Sequence, residues 1–237
     1  MSDDGGVAAV NRALTLLDAF KEDDQSLTLT ELSKRVGFYK STTLRLAESL
    51  ERFGYLRRLN DGAFRLGPKP LFLASLYQKH FRTADFVPQA LRKVVDELQE
   101  SASFFIRDDN QRVCLHRVDS PRAIRDSIHE GARLPLTAGA SAHVILAFNG
   151  LSGAKYDQIR KRLFAVSMGE RDPETAAIAC PVFSVKQHLI GAISLSGPKY
   201  RFEKANTKKM VEVLHKYCKE LSESFGGRWP SKASDHS

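Results

Sequence analysis

The stretch from Thr28 to Gly67 constrains the fold of this chain more than any other feature. Two short amphipathic helical patterns are followed by two strand-like segments around Asn60-Asp61-Gly62. Asn and Asp before Gly supply the positive φ angles of a tight hairpin turn. Between Lys34 and Lys69 the sequence holds nine Lys and Arg residues against three acids. A helix-turn-helix followed by a basic hairpin is the outline of a winged DNA-binding module.

The helix ends carry signals of their own. Thr28 and Glu31 fit a capping box, in which the two side chains bond otherwise free backbone amides, and Gly37 suits the end of this first short helix. The next helix is predicted from about Lys40 to Phe53, before Gly54, with a buried stripe of Leu46, Ala47, Leu50 and Phe53. A preceding helix is predicted to bury one face, formed by Val7, Val10, Ala13, Leu14, Leu17 and Phe20.

With that stripe inside, the helix starting at Lys40 presents its polar side outward, as a recognition helix does in the major groove. Arg45 is the best candidate for reading a guanine edge, because arginine offers a bidentate fork. Free amides at the helix start attract phosphate, and the hairpin arginines would add affinity rather than sequence choice. The predicted DNA-binding residues are Thr28, Lys40, Ser41, Thr42, Thr43, Arg45, Ser49, Arg52, Arg57, Arg58 and Arg65.

Composition bounds the remaining possibilities. A chain of 237 residues with 42% apolar and 27% charged residues is typical of globular proteins and long enough for two modest domains. Its net charge of +8 favours an anionic partner. No apolar run approaches the ~18 residues of a membrane span, and no signal peptide is visible. Three cysteines without CxxC spacing indicate reduced thiols, so we predict a cytoplasmic protein without membrane association.

The pattern changes after residue 67. A helix-like linker over 68–84 is apolar on more than one side, which predicts packing against another copy of the chain. Beyond it the sequence predicts a helix over 87–100, strands over 103–108, 111–118 and 125–130, helices over 137–148 and 154–163, strands over 176–183 and 189–195, and a helix over 203–225. This order indicates an α+β domain over 85–226, after a DNA-binding domain over 1–67, with 227–237 as a disordered tail.

Two features of the second domain suit a small polar or anionic ligand. Small residues from Thr137 to Ser141 leave backbone amides approachable at a helix start. Ser194 and Ser196 alternate with apolar residues, so both hydroxyls point to one face of a strand. We predict that the ligand is a small organic or aromatic acid.

The motifs of both domains together resemble those of IclR-type transcriptional regulators over about residues 7–225. The matching segments are residues 27–32, 40–46, 54–56, 64–67, 131–136, 178–183 and 191–198. The resemblance implies an N-terminal winged helix-turn-helix, a GAF-like α/β effector-binding domain, and homodimers or homotetramers on double-stranded operator DNA. Carried over by motif, it implies an effector pocket formed by Gly139, Ala140, Ser141, Glu170, Ala177, Ser194 and Ser196. No cofactor is implied.

Other functional classes fit the sequence less well. Ser141 and His143 are two positions apart on a helix and point about 200° away from each other, so they cannot act as nucleophile and base. His215 and Cys218 share a helix face but lack further ligands for a metal site. We therefore predict no catalytic and no metal site. A winged-helix module that binds RNA or protein stays open, although no aromatic platform for RNA bases is apparent.

Overall fold

The computed structural model describes residues 6–21, 23–80 and 86–230, with the backbone alone for 77–80 and 186. By its internal contacts the chain divides into two compact units, Met1–Phe81 and Arg82–Ser237. The end of the predicted linker, 81–85, and residues 231–237 of the predicted tail lie outside the described residues. Each unit is described by itself.

The first unit is a helix-turn-helix followed by a two-stranded wing. Its elements are α1 (Ala8–Asp18), α2 (Leu29–Val36), α3 (Lys40–Arg52), β1 (Leu56–Arg58), β2 (Phe64–Leu66) and α4 (Lys69–His80). The two strands pair antiparallel with Arg57 opposite Arg65, and a bridge from Leu27 to Phe64 joins the wing to the start of α2. The predicted winged helix-turn-helix is confirmed.

The boundary signals act as the sequence predicts. The backbone amide of Thr28 donates to Glu31 Oε2 at 2.8 Å, and the amide of Glu31 donates to Thr28 Oγ1 at 3.3 Å. This capping box satisfies amides that would otherwise be free at the start of α2. Gly37 and Gly54 follow α2 and α3 with φ of 71° and 77°, a left-handed conformation that glycine adopts without a Cβ clash.

The core of the first unit corrects two expectations. Its fully buried apolar residues are Leu16, Leu27, Leu32, Ala47, Leu50, Leu56 and Phe64. Phe53, predicted to be buried, is 70% exposed because α3 ends at Arg52 and the chain turns away there. In α1 the sequence holds two overlapping stripes, and the one that packs is Ala13, Leu16, Leu17 and Phe20. Consequently Val7, Val10 and Leu14 of the predicted buried face are exposed.

The second unit is an antiparallel sheet covered by helices on both sides. Its helices are α5 (Val87–Leu98), α6 (Ala140–Phe148), α7 (Ala154–Arg162) and α8 (Lys204–Ser224). Its strands are β3 (Ser101–Asp108), β4 (Gln111–Val118), β5 (Arg133–Pro135), β6 (Ala165–Met168), β7 (Thr175–Phe183) and β8 (Leu189–Pro198). They form one sheet in the order β5-β4-β3-β8-β7-β6. The predicted α+β fold is confirmed.

Alternation along the strands divides the sheet into two faces. On β7, the side chain of Ala179 packs in the cluster that contains α6. The side chain of the next residue, Cys180, interacts with Cys218 of α8 on the opposite face. Helices α5 and α8 therefore cover one face, and α6 with α7 covers the other. Ser194 and Ser196 of β8 share the α6 face, because they pair with Ala179 and Ala177 on β7.

Several local predictions are wrong. Residues 125–130 form no strand, because side chains such as Arg117 bond their backbone groups and β5 takes the edge of β4 instead. The short strands β5 and β6 were not foreseen. The predicted tail is ordered as far as residue 230: the Gly227 amide donates to the Ser222 carbonyl oxygen at 2.8 Å, and the Trp229 ring lies 6.1 Å from the Phe183 ring. Among the described residues no helix is long and apolar enough to cross a bilayer.

Candidate DNA-binding face and effector pocket

Helix α3 presents a polar and basic side to solvent. Lys40, Ser41, Arg45, Ser49 and Arg52 are exposed on it, and Thr42 is half-buried. Tyr39, at the N-cap position, makes no capping bond with its side chain and is 86% exposed. The first turn of α3 therefore keeps backbone amides available for a phosphate, unlike α2 with its capping box.

Three predicted contact residues have roles inside the fold. Thr43 is fully buried, and its hydroxyl donates to the Tyr39 carbonyl oxygen at 3.1 Å. It therefore belongs to the inner side of α3 rather than to the DNA-binding face. The Thr28 hydroxyl is occupied in the capping box, and the Ser49 hydroxyl donates to the Arg45 carbonyl oxygen at 3.0 Å. Thr28 and Ser49 are nevertheless exposed.

The wing adds a second group of cations. Arg57 and Arg65 are exposed and directly opposite each other across the two strands, an arrangement of like charges that is unfavourable without an anion. Arg58 lies with its Cζ 5.6 Å from the centre of the Phe64 ring, and its backbone amide donates to Glu51 at 3.0 Å. The backbone of the wing is thus held while its guanidinium groups face solvent.

These cations lack internal partners. Within the described part of the chain, no carboxylate forms a salt bridge with Lys40, Arg45, Arg52, Arg57, Arg58 or Arg65. Arg35 of α2 is by contrast bound by Asp24, and this pairing lowers the pKa of Asp24 to about 2. The positive charge of α3 and the wing therefore remains available to neutralise a polyanion.

The second unit contains a small pocket on the α6 side of the sheet. It encloses about 30 Å³, on the order of the space that one water molecule occupies. Among its lining residues are Gly139, Ala140, Ser141, Ala177, Ser194 and Ser196, all predicted from the sequence. Since the two serines lie on one face of β8 and α6 starts at Ala140, the predicted hydroxyl groups and helix start do meet in one cavity.

Glu170, the remaining predicted pocket residue, binds the start of α6 itself. Its Oε2 accepts hydrogen bonds from the Gly139 amide at 2.9 Å and from His143 Nε2 at 2.6 Å. Burial raises the pKa of the Glu170 carboxyl, but these two hydrogen bonds outweigh burial and hold the pKa below its usual value. The Gly139 amide, at the helix start that we predicted to bind the ligand, is therefore already occupied by the Glu170 carboxylate.

Arg112 is the most unusual residue of the pocket. It is 3% exposed, its Nη1 donates to the Pro135 carbonyl oxygen, and its Cζ lies 5.5 Å from the centre of the Phe105 ring. A Cβ at Gly139 would stand 2.9 Å from Arg112 Nη2, so the glycine leaves room for the guanidinium group. Burial, and then the charge of Arg171, lower the pKa of Arg112 to about 10.

Arg171 is the second cation of the pocket wall. It donates to the buried carboxylate of Asp126, and both residues line the cavity. Sequence reasoning missed Arg112, Asp126 and Arg171. For Arg112 a signal existed: it alternates with Cys114 on β4, so the strand pattern places a charge on the face that carries a buried cysteine. Asp126 and Arg171 lie on loops, where no periodicity assigns a direction.

An exposed basic helix-turn-helix joined to an α+β domain is the architecture of a class of transcriptional regulators. The sequence matches the family profile of the IclR helix-turn-helix domain over residues 9–60 and that of the bacterial transcriptional regulator IclR C-terminal domain over 78–156 and 153–223. The chain belongs to the IclR family of bacterial transcriptional regulators, and it is a DNA-binding regulator rather than an enzyme.

Individual proteins agree with this assignment. The HTH-type transcriptional regulator KipR of Bacillus subtilis is 26% identical, over 92% of this chain and 96% of its own length. The structure of the Thermotoga maritima IclR superposes with a TM-score of 0.78 at 20% identity, over 92% and 98% of the two chains. An IclR homologue from Microbacterium hydrocarbonoxydans, solved in complex with 4-hydroxybenzoate, superposes with a TM-score of 0.72 at 19% identity, over 92% and 99%.

Proposed function

We propose that this regulator binds a near-palindromic operator as a homodimer or homotetramer. Helix α3 enters the major groove, where Arg45 reads a guanine edge and Lys40, Ser41, Thr42, Ser49 and Arg52 contact the neighbouring backbone and bases. Thr28 and the wing arginines Arg57, Arg58 and Arg65 contact phosphates and position the domain. The observation that carries this proposal is the set of exposed arginines on α3 and the wing without any salt bridge among the described residues.

We further propose that the pocket on the α6 face binds a small organic or aromatic acid. The amides of Ala140 and Ser141 at the start of α6 and the hydroxyls of Ser194 and Ser196 supply polar contacts, and Phe105 with Leu134 supplies apolar walls. Glu170 contributes by fixing that helix start through the Gly139 amide. The related fold from Microbacterium hydrocarbonoxydans holds 4-hydroxybenzoate, which supports a carboxylic acid as the ligand. Because the cavity has the volume of about one water molecule, it must widen to admit such an acid. The genes controlled would then serve the metabolism of such acids in the bacterial cytoplasm.

Regulation requires that the ligand binds two states of the protein with different affinities, since equal binding shifts nothing. We propose that the linker over 68–84 transmits the difference to the DNA-binding domains of an oligomer. Leu71 and Phe72 of α4 are 76% and 53% exposed in the single chain, which supports a partner for this helix.

Two measurements test the proposed function with the full-length protein. A gel shift with the promoter beside the protein's own gene should show binding that survives excess random DNA. A thermal-shift screen of small carboxylates and phenolic acids should raise the melting temperature for at least one compound, because a ligand of the native state stabilises it. That compound should also change the gel shift. Equal affinity for operator and random DNA, or no effect of any bound acid on DNA affinity, would refute the proposal.

A further inference from the structure

The charges around the pocket do not balance in pairs. Arg171 is neutralised by Asp126, and Glu170 is held by the Gly139 amide and His143. Arg112 forms no salt bridge with any described carboxylate, although Glu170 is close enough to influence its pKa. The pocket therefore contains one buried cation that lacks an anion.

The surroundings of Arg112 leave part of its guanidinium group unsatisfied. Nη1 is used by the Pro135 carbonyl, and one face of the group lies over the Phe105 ring. Its Nε is buried without a hydrogen-bond partner. A buried donor without an acceptor is unfavourable, and for a charged group the cost is larger than for a neutral one. An arginine kept in such a position needs an acceptor that the described residues do not supply.

The geometry selects the place of that acceptor. The guanidinium group lies against Gly139, at the start of α6, and Arg112, Gly139, Ser194 and Ser196 all line the same cavity. The Gly139 amide already binds Glu170, so the carboxylate of a ligand could bind this amide only by displacing Glu170. At the Arg112 guanidinium group, no described carboxylate has to be displaced.

Building on the proposed effector function, we infer that Arg112 binds the carboxylate of the effector and thereby selects anionic over neutral ligands of the same shape. The carboxylate accepts from the free side of the guanidinium group, where arginine offers parallel donors, while the serine hydroxyls lie on the wall beside it. Glu170 keeps its bonds to Gly139 and His143 and disfavours a second carboxylate at that end of the pocket. The effector class is therefore a small monoanionic acid.

The test uses the full-length protein with matched pairs of probes: acetate, lactate, benzoate and 4-hydroxybenzoate, each beside its uncharged primary amide. Binding is measured by calorimetry for the wild type, Arg112→Met, Arg112→Lys and Arg162→Met. Arg162 is an exposed arginine at the end of α7 and serves as the control for loss of one positive charge.

We expect at least one acid to bind the wild type at least about 30-fold more tightly than its amide, because truncating a buried charge pair costs a factor of this size. Arg112→Met should weaken binding of the acid to a similar extent without weakening binding of the amide. The affinity of Arg112→Lys for the acid should lie between those of the wild type and Arg112→Met, and the affinity of Arg162→Met should equal that of the wild type. Without ligand, Arg112→Met should melt no lower than the wild type, since it removes an unpaired buried charge.

The outcomes separate this inference from the proposed function. If an acid binds the wild type and Arg112→Met equally well, or binds no better than its amide, Arg112 is not the carboxylate site while the effector function stands. If none of the acids or amides binds the wild type, the effector function is refuted and the inference with it. Should Arg112→Met fail to fold, the wild-type comparison of acid with amide and the Arg112→Lys variant still decide.

Discussion

The two units use arginine in opposite ways. On α3 and the wing, Arg45, Arg57 and Arg65 are exposed and lack carboxylate partners. In the pocket, Arg112 is buried against the Phe105 ring and the Pro135 carbonyl group. An exposed arginine stays hydrated and attracts a polyanion over a Debye length of about 8–10 Å. A buried arginine has lost its water and needs one well-placed acceptor.

The contrast between exposed and buried arginines indicates how affinity and selectivity arise at the two sites. Surface cations contribute collectively to DNA affinity, and salt weakens this contribution, so their number matters more than their individual positions. Buried cations act singly, and salt screens them much less.

The largest expected difference between the two sites is the dependence of their affinities on salt concentration. If α3 and the wing make about 6–10 phosphate contacts in an oligomer, operator affinity should fall by roughly 10³- to 10⁵-fold between 50 and 200 mM salt. Acid binding in the pocket should change by less than about threefold over the same range, because the site is shielded. Fluorescence anisotropy with labelled operator and calorimetry with the acid measure the two slopes. Equal slopes would contradict the contrast.

Arg45→Ala should reduce the preference for operator over random DNA by about 10- to 100-fold, since a bidentate pair with guanine supplies 1–3 kcal/mol of discrimination. Arg65→Ala is the matched control on the wing. It should weaken operator and random DNA alike and lower the salt slope by about one. Competition titrations with both DNAs give the ratio, and an unchanged ratio for Arg45→Ala would end its assignment as a base-reading residue.

Ser194→Ala with Ser196→Ala should weaken binding of the acid about 30-fold, because each of the two hydroxyls contributes roughly 1 kcal/mol when it bonds a ligand. Operator affinity measured without the acid should stay the same, since both serines line the pocket of the second unit. Calorimetry and anisotropy on the same preparation test both statements. Loss of DNA binding in this variant would mean that the serines hold the fold and not the ligand.

Glu170→Gln should have the smallest effect, less than about 1 kcal/mol of unfolding free energy at neutral pH, because its carboxylate is 34% exposed and solvent screens its contacts. Its pKa is lower in the folded chain than the ordinary 4.5. The stabilisation is therefore complete above the unfolded-state pKa and is lost as pH falls through the folded-state pKa.

Urea unfolding of wild type and variant between pH 7 and pH 3 tests this prediction. The chain has one tryptophan, Trp229, which packs on Phe183 and His215, so its fluorescence reports on the second unit. The difference between the two proteins should shrink as the solution becomes acidic. A difference that grows towards pH 3 would contradict the assigned direction of the Glu170 pKa.

Local chemistry explains which parts of the fold could be predicted. The capping box at Thr28, the hairpin turn at Asn60-Asp61-Gly62 and the shared face of Ser194 and Ser196 depend on neighbouring residues or on strand alternation. The edge strands β5 and β6 are three and four residues long, too short to show a period. β5 pairs with β4 across a long intervening segment, and β6 pairs with β7 across the loop between Met168 and Thr175, so only the assembled sheet assigns them.

By itself the sequence determined a basic helix-turn-helix, its wing and an α+β domain, because spacing and capping act within a few residues. Only the tertiary structure decided which of two overlapping stripes of α1 is buried, that Thr43 points inward, and that Glu170 binds the Gly139 amide. It also decided that Arg112 lies unpaired beside that amide. Burial and charge pairing depend on residues far apart in the chain, and a one-dimensional pattern does not contain those distances.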